Sequence, residues 1–210
     1  MERKTKAADW AYLNKYKDEN ALIASPLLGE QRIVFFGDSI VAGWKTICPD
    51  YFIGKTNINR GINGQTTSQM LLRFRADVIE LKPLTVVILA GTNDIAGNTG
   101  PITPELILGN LISMCELAKV NNIKVILCSI LPAYDYPWRR GIEPAEKIEA
   151  LNEMILKYAI ANDIVYVDYY SAMVNERKGL KSIYSEDGVH PNKEGYHVMG
   201  KILERTIHDF

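Results

Sequence analysis

Residues 32–40, Arg-Ile-Val-Phe-Phe-Gly-Asp-Ser-Ile, constrain the fold more than any other stretch of the 210. A continuous apolar run of this length is what a strand buried on both faces of a parallel sheet requires. Gly37 ends the run, Asp38 and Ser39 follow, and Ile40-Val41-Ala42 resumes an apolar pattern. A strand that turns into a helix here sets the Ser39 hydroxyl at the carboxyl edge of the sheet, where open α/β sheets bind ligands. The helix start adds free backbone N–H groups and a positive dipole end, both suited to a developing negative charge. A serine at this point also has an ordinary structural use as a helix cap.

The pattern repeats along the chain. Further apolar runs at 84–90, 123–130 and 164–167 read as strands, and the short, more polar stretch 56–59 is read as the second strand. Between them, helical spacing predicts helices over about 39–44, 66–81, 104–121 and 144–161, a helical turn near Ser171, and a last helix over 193–208. Residues 7–22, with Trp10, Leu13, Tyr16 and Leu22 among charges, read as a helix outside the sheet, so residues 1–30 form an N-terminal helical extension packed on it. Alternating strands and helices give an α/β fold with a parallel sheet covered on both faces, and residues 1–210 are read as one domain.

The formal charge of −1 gives no electrostatic case for nucleic acid, and no apolar run is long enough to span a bilayer. No signal peptide is visible. A complete chain would then be cytoplasmic, and an exported protein already freed of its leader would read the same way. Cys48, Cys115 and Cys128 have neither metal-ligand spacing nor a disulfide pattern. Oligomeric state is not legible.

The polar punctuation falls at strand ends. Ser39 follows the first strand, Gly64 the second and Asn93 the third, while Asp187 and His190 lie in a loop beyond the fifth. In a doubly wound sheet these ends share an edge. Asp187 stands three residues before His190, close enough for its carboxylate to reach one imidazole nitrogen and leave the other as a general base. A serine hydroxyl needs such a base, and the carboxylate would stabilise the imidazolium. The alternative is that Asp187 and His190 only cap the final helix. Acyl transfer also needs oxyanion donors; the Ser39 N–H, the Gly64 N–H and the Asn93 side-chain amide are the candidates, though glycine and asparagine are equally turn residues. Asp38 and Asp94 would suit a carboxylate pair for glycoside hydrolysis, or hold turns through backbone hydrogen bonds.

Taken together, Gly37-Asp38-Ser39-Ile40, Gly64, Gly91-Thr92-Asn93-Asp94 and Asp187-Gly188-Val189-His190-Pro191 resemble the SGNH hydrolase superfamily, the GDSL esterases and lipases, from about Arg32 to the end of the chain. The resemblance implies a flavodoxin-like α/β/α sandwich with a five-stranded parallel sheet and a serine esterase needing no cofactor or metal. It assigns Ser39 as nucleophile, Asp187 and His190 as its partners, and Ser39, Gly64 and Asn93 as the oxyanion hole. Ile40 stands where the family name has leucine. The expected partner is a small-molecule ester. Tyr134, Tyr136, Trp138 and Arg139, with Arg140, sit in the long loop after the fourth strand and are candidate substrate contacts, for stacking on a sugar and meeting an acidic group; they could equally cover the sheet or form a subunit contact. A short acyl or acetyl ester is expected, with a carbohydrate as one candidate alcohol part, a lysophospholipase or thioesterase as the alternative and a non-catalytic flavodoxin-like binding module as the reading from another class.

Overall fold

The computed structural model describes residues 9–208. Five strands, β1 (Ile33–Gly37), β2 (Asn57–Gly61), β3 (Thr85–Leu89), β4 (Lys124–Cys128) and β5 (Val165–Val167), form one all-parallel sheet in the order β2-β1-β3-β4-β5. The order reverses between β1 and β3, which opens a crevice at their carboxyl ends.

The alternation of side chains along each strand divides the core into two layers. Val34, Phe36, Val86, Ile88, Val125 and Leu127 face one side, against α3 (Thr67–Asp77), α5 (Pro104–Val120) and α6 (Pro144–Ala161). Phe35, Val87, Leu89, Ile126 and Val167 face the other, against α2 (Ser39–Ile47) and α8 (Lys193–His208). Trp44 of α2 stacks on Tyr196 of α8 and meets the edge of Phe35, which locks that layer together. Glycine is required where α2 crosses β2: a Cβ on Gly61 would stand 2.1 Å from the Ala42 backbone nitrogen. Cys48, Cys115 and Cys128 are buried and unpaired.

Two elements differ from the sequence expectation. Only Lys17–Leu22 of the predicted 7–22 helix is helical (α1); residues 7 and 8 lie outside the described residues. The segment before α1 is held non-locally instead: Gln65 and Gln69 donate from their side chains to the carbonyls of Ala11 and Trp10, and the Tyr16 hydroxyl donates to the Gly61 carbonyl. The N-terminal segment therefore packs at the β2 end and on α3, where Asn20 donates to the Ala76 carbonyl, and not as a helix across the sheet. The 66–81 helix is α3 followed by a 3-10 turn over Ile79–Leu81. Both conformations keep Met70, Phe74, Val78 and Leu81 buried, so apolar spacing does not separate them. Two short helices, α4 (Thr92–Ile95) and α7 (Tyr169–Met173), follow β3 and β5. No helix among the described residues is long and apolar enough to cross a membrane.

Candidate active site

Ser39 is the first residue of α2, directly after β1. The cap of that helix is Asp38, whose Oδ1 accepts the Ile40 N–H at 2.9 Å. The serine side chain is thus released from capping, and its own N–H has no intrahelical acceptor. Ser39 Oγ lies 3.0 Å from His190 Nε2, and His190 Nδ1 lies 2.7 Å from Asp187 Oδ2. The other carboxylate oxygen, Asp187 Oδ1, accepts the backbone N–H groups of Val189 and His190 and the Ser185 hydroxyl. These contacts fix the carboxylate relative to the ring. Burial pushes the Asp187 carboxyl upward, but the hydrogen bonds from His190 and Val189 outweigh it and hold the group below the usual carboxylate range. A charged acceptor at Nδ1 leaves Nε2 facing the serine oxygen as the basic nitrogen.

Asn93, on α4 after β3, is buried beside this row. Its Nδ2 donates to the Gln65 carbonyl at 3.1 Å and, more loosely, to Asp38 Oδ2 at 3.3 Å. Its Oδ1 accepts from Asn98 Nδ2 at 2.8 Å, and the same amide donates to the Gly64 carbonyl at 3.1 Å. Gly64 sits at φ +75°, a conformation that favours glycine. The three sequence-predicted oxyanion donors are therefore linked: Ser39 follows Asp38, Asp38 holds Asn93, and Asn98 ties Asn93 to Gly64.

Asp38 and Asp94 are both pushed up to about 6, chiefly by burial. Hydrogen bonds from Ile40 oppose the shift at Asp38, as those from Thr67 do at Asp94. Asp38 holds its own turn as expected. Asp94 also reaches across to the Thr67 N–H and hydroxyl, pinning the start of α3, as well as serving its local backbone. Their side chains are committed to holding structure, which removes the basis for a glycosidase pair.

The long loop is only partly a surface for substrate. Trp138 is exposed, its ring centroid is 5.9 Å from that of His190, and its Nε1 donates to Asn98 Oδ1 at 3.3 Å. Tyr136 is 0% exposed and stacks behind Trp138, which corrects its reading as a substrate contact: the ring is core that sets the tryptophan. Arg139 donates to the Gly97 carbonyl and so braces the loop after α4. Tyr134 lies under the Arg177 guanidinium and, with Arg140, lines a separate cavity of about 190 Å³ behind Asp187. Beside Ser39 and His190 a larger groove of about 740 Å³ runs between α2, the loop after β2 and the N-terminal segment.

Sequence reasoning missed Gln65, Arg73 and Asn98. Arg73 is 0% exposed and binds Gln65 Oε1, the carbonyls of Gly37 and Arg60, and Asp77. Its place three residues after Met70 and one before Phe74, on the apolar face of a helix, was the available signal. Asn98 has no local signature. Among the described residues, no group of three or more His, Cys, Asp or Glu side chains is arranged to hold a metal.

The model of the GDSL-like Lipase/Acylhydrolase family matches residues 35–198. A GDSL-like lipase from Bacteroides thetaiotaomicron VPI-5482 is 50% identical, with 95% of this chain and 98% of that one covered at a TM-score of 0.92. Esterase TesA of Pseudomonas aeruginosa is 29% identical over 177 residues, 77% of this chain and 80% of its own length. The uncharacterized lipoprotein YqeF of Bacillus subtilis is 33% identical over 121 residues, and the match spans only about half the length of that relative. By sequence and by fold, the chain belongs to the GDSL-like lipase/acylhydrolase family.

Proposed function

We propose that this chain is a serine esterase that cleaves a carboxylic ester through an acyl-serine intermediate. The carrying observation is the unbroken row from Ser39 Oγ through His190 to Asp187, with contacts of 3.0 and 2.7 Å. Ser39 Oγ attacks the ester carbonyl as His190 Nε2 takes its proton, and the Asp187 carboxylate stabilises the imidazolium. The tetrahedral oxyanion is met by the N–H of Ser39, the N–H of Gly64 and the Asn93 amide, whose looser contact to Asp38 is the one exchanged for substrate. His190 then returns the proton to the leaving alcohol. Water, deprotonated by the same nitrogen, attacks the acyl-serine carbon and releases the acid with Ser39 restored.

The acyl group is short, an acetyl or similar group, and a carbohydrate is the favoured alcohol part. The exposed Trp138 face beside His190 supports this, being suited to stacking on a sugar ring. The alternative within the class is a lipid-like acyl group. The non-catalytic reading is disfavoured by a serine released from capping and aimed at an imidazole.

Hydrolysis of p-nitrophenyl acetate, butyrate and octanoate by the wild type and by Ser39→Ala tests the proposal. The expected result is highest kcat/KM on acetate and a loss of about 10⁴–10⁶ in kcat in the variant. Octanoate preferred over acetate would favour the lipid-like substrate, and a fully active Ser39→Ala would overturn the mechanism.

A further inference from the structure

The groove beside Ser39 is built from two separate parts of the chain. One wall is α2 with the loop after β2; the other is the N-terminal segment, which precedes the family-matched residues 35–198. Each wall contributes a lysine, Lys15 from the N-terminal segment and Lys45 from α2. Both are exposed, and neither ammonium has an ion pair or hydrogen bond among the described residues.

The lining itself holds a single opposing charge, while Glu186 and Asp187 lie in the adjoining cavity on the far side of His190. Glu19, the one carboxylate on the groove lining, is drawn to Arg60 at 3.5 Å. Arg60 is only 2% exposed, lies against the Tyr16 ring, and leaves Nη2 without a hydrogen-bond partner among the described residues. Asp187 is bonded to His190. On the groove lining two free ammonium groups thus face one carboxylate, which is itself held by a buried guanidinium behind the wall, in a chain whose formal net charge is −1. A cleft lined by one sign of charge concentrates ligands of the other.

Building on the esterase reading above, we infer that this groove takes esters carrying an anionic group, a carboxylate, sulfate or phosphate, which Lys15 and Lys45 bind while Ser39 meets the ester carbon. The N-terminal segment is then part of the substrate site, placed there by the bonds from Gln65, Gln69 and Tyr16.

Two matched pairs of esters test this, each differing in one carboxylate: 4-carboxyphenyl acetate against phenyl acetate, and 4-nitrophenyl succinate against 4-nitrophenyl butyrate. The first places the charge on the alcohol part and the second on the acyl part. The wild type is expected to favour the charged ester in at least one pair. In Lys15→Gln/Lys45→Gln the charged-to-neutral ratio of kcat/KM should fall about tenfold, as two solvated charge contacts would give, and 0.5 M salt should lower the wild-type ratio similarly. Should the wild type turn over none of the four, their equilibrium binding to it, followed by ligand NMR, gives the same ratio. No preference in either pair, or a preference the double variant keeps, overturns the inference. Turnover surviving in Ser39→Ala would count instead against the catalytic reading, since the ratio does not depend on which side chain is the nucleophile.

Discussion

At the scale of single residues, two buried carboxyls lie beneath the proposed oxyanion hole. Burial raises Asp38 to about 6, well above its ordinary 3.8. The folded state therefore holds the proton more tightly than the unfolded chain does. The resulting contribution to stability is full below about pH 4 and is lost as pH rises through about 6. Asp38→Asn removes that titration while keeping an acceptor for the Ile40 N–H. The expected outcome is that wild-type stability, relative to the variant, falls between pH 4 and 6.5 by up to about 3 kcal/mol. Denaturant unfolding followed by tryptophan fluorescence measures it. Asp187 titrates in the opposite sense in both proteins and cancels in the difference. A difference independent of pH would contradict this account. The residues of the family blocks were legible because the proposed acyl transfer needs their particular side chains. Gln65 and Asn98 were not, because an amide that braces a neighbour looks like any other loop amide. Tyr136 misled because aromatic content alone does not tell a ring that faces solvent from one beneath it.

At the scale of elements, every strand except the polar edge strand β2, and the main helices, could be read from apolar runs and helical spacing, since burial on a sheet dictates both. The segment before α1 could not. Its carbonyls are satisfied by side chains more than fifty positions away, and no local pattern encodes such partners. Arg73 of α3 joins these regions, with bonds to the ends of β1 and β2, to Gln65 and to Asp77. Desolvation works against its charge and lowers its pKa, with Asp77 opposing the shift. Arg73→Met keeps much of the volume but leaves Asp77 and two carbonyls without this partner. Removing one member of a buried pair costs about 3–5 kcal/mol, and urea unfolding should show a loss of that size. A loss below about 1 kcal/mol would mean that the buried network does not hold the N-terminal segment and the Gly64 turn in place.

At the scale of the whole molecule, the strand order brings the site together. Ser39 follows β1 and Asn93 follows β3, the two strands that flank the reversal in sheet order. Gly64 follows β2 on the neighbouring side, and the loop before α8 brings His190 over the same edge. The two apolar layers fix the strands to one another, so side chains distant in sequence meet within hydrogen-bond range at this edge. The convergence was legible because parallel strands joined by helices must present their carboxyl ends together. The groove wall supplied by the N-terminal segment was not, because it lies outside that repeating logic. The central claim is that Ser39 is the nucleophile of this edge, and reaction with diethyl 4-nitrophenyl phosphate tests it most directly. Attack by Ser39 Oγ would displace 4-nitrophenolate and leave one diethylphosphoryl group on the protein. Intact mass and peptide mapping should find a single adduct on Ser39, absent from Ser39→Ala and much slower to form in His190→Ala. An unmodified wild type, or an adduct mapped to another residue, would contradict the account.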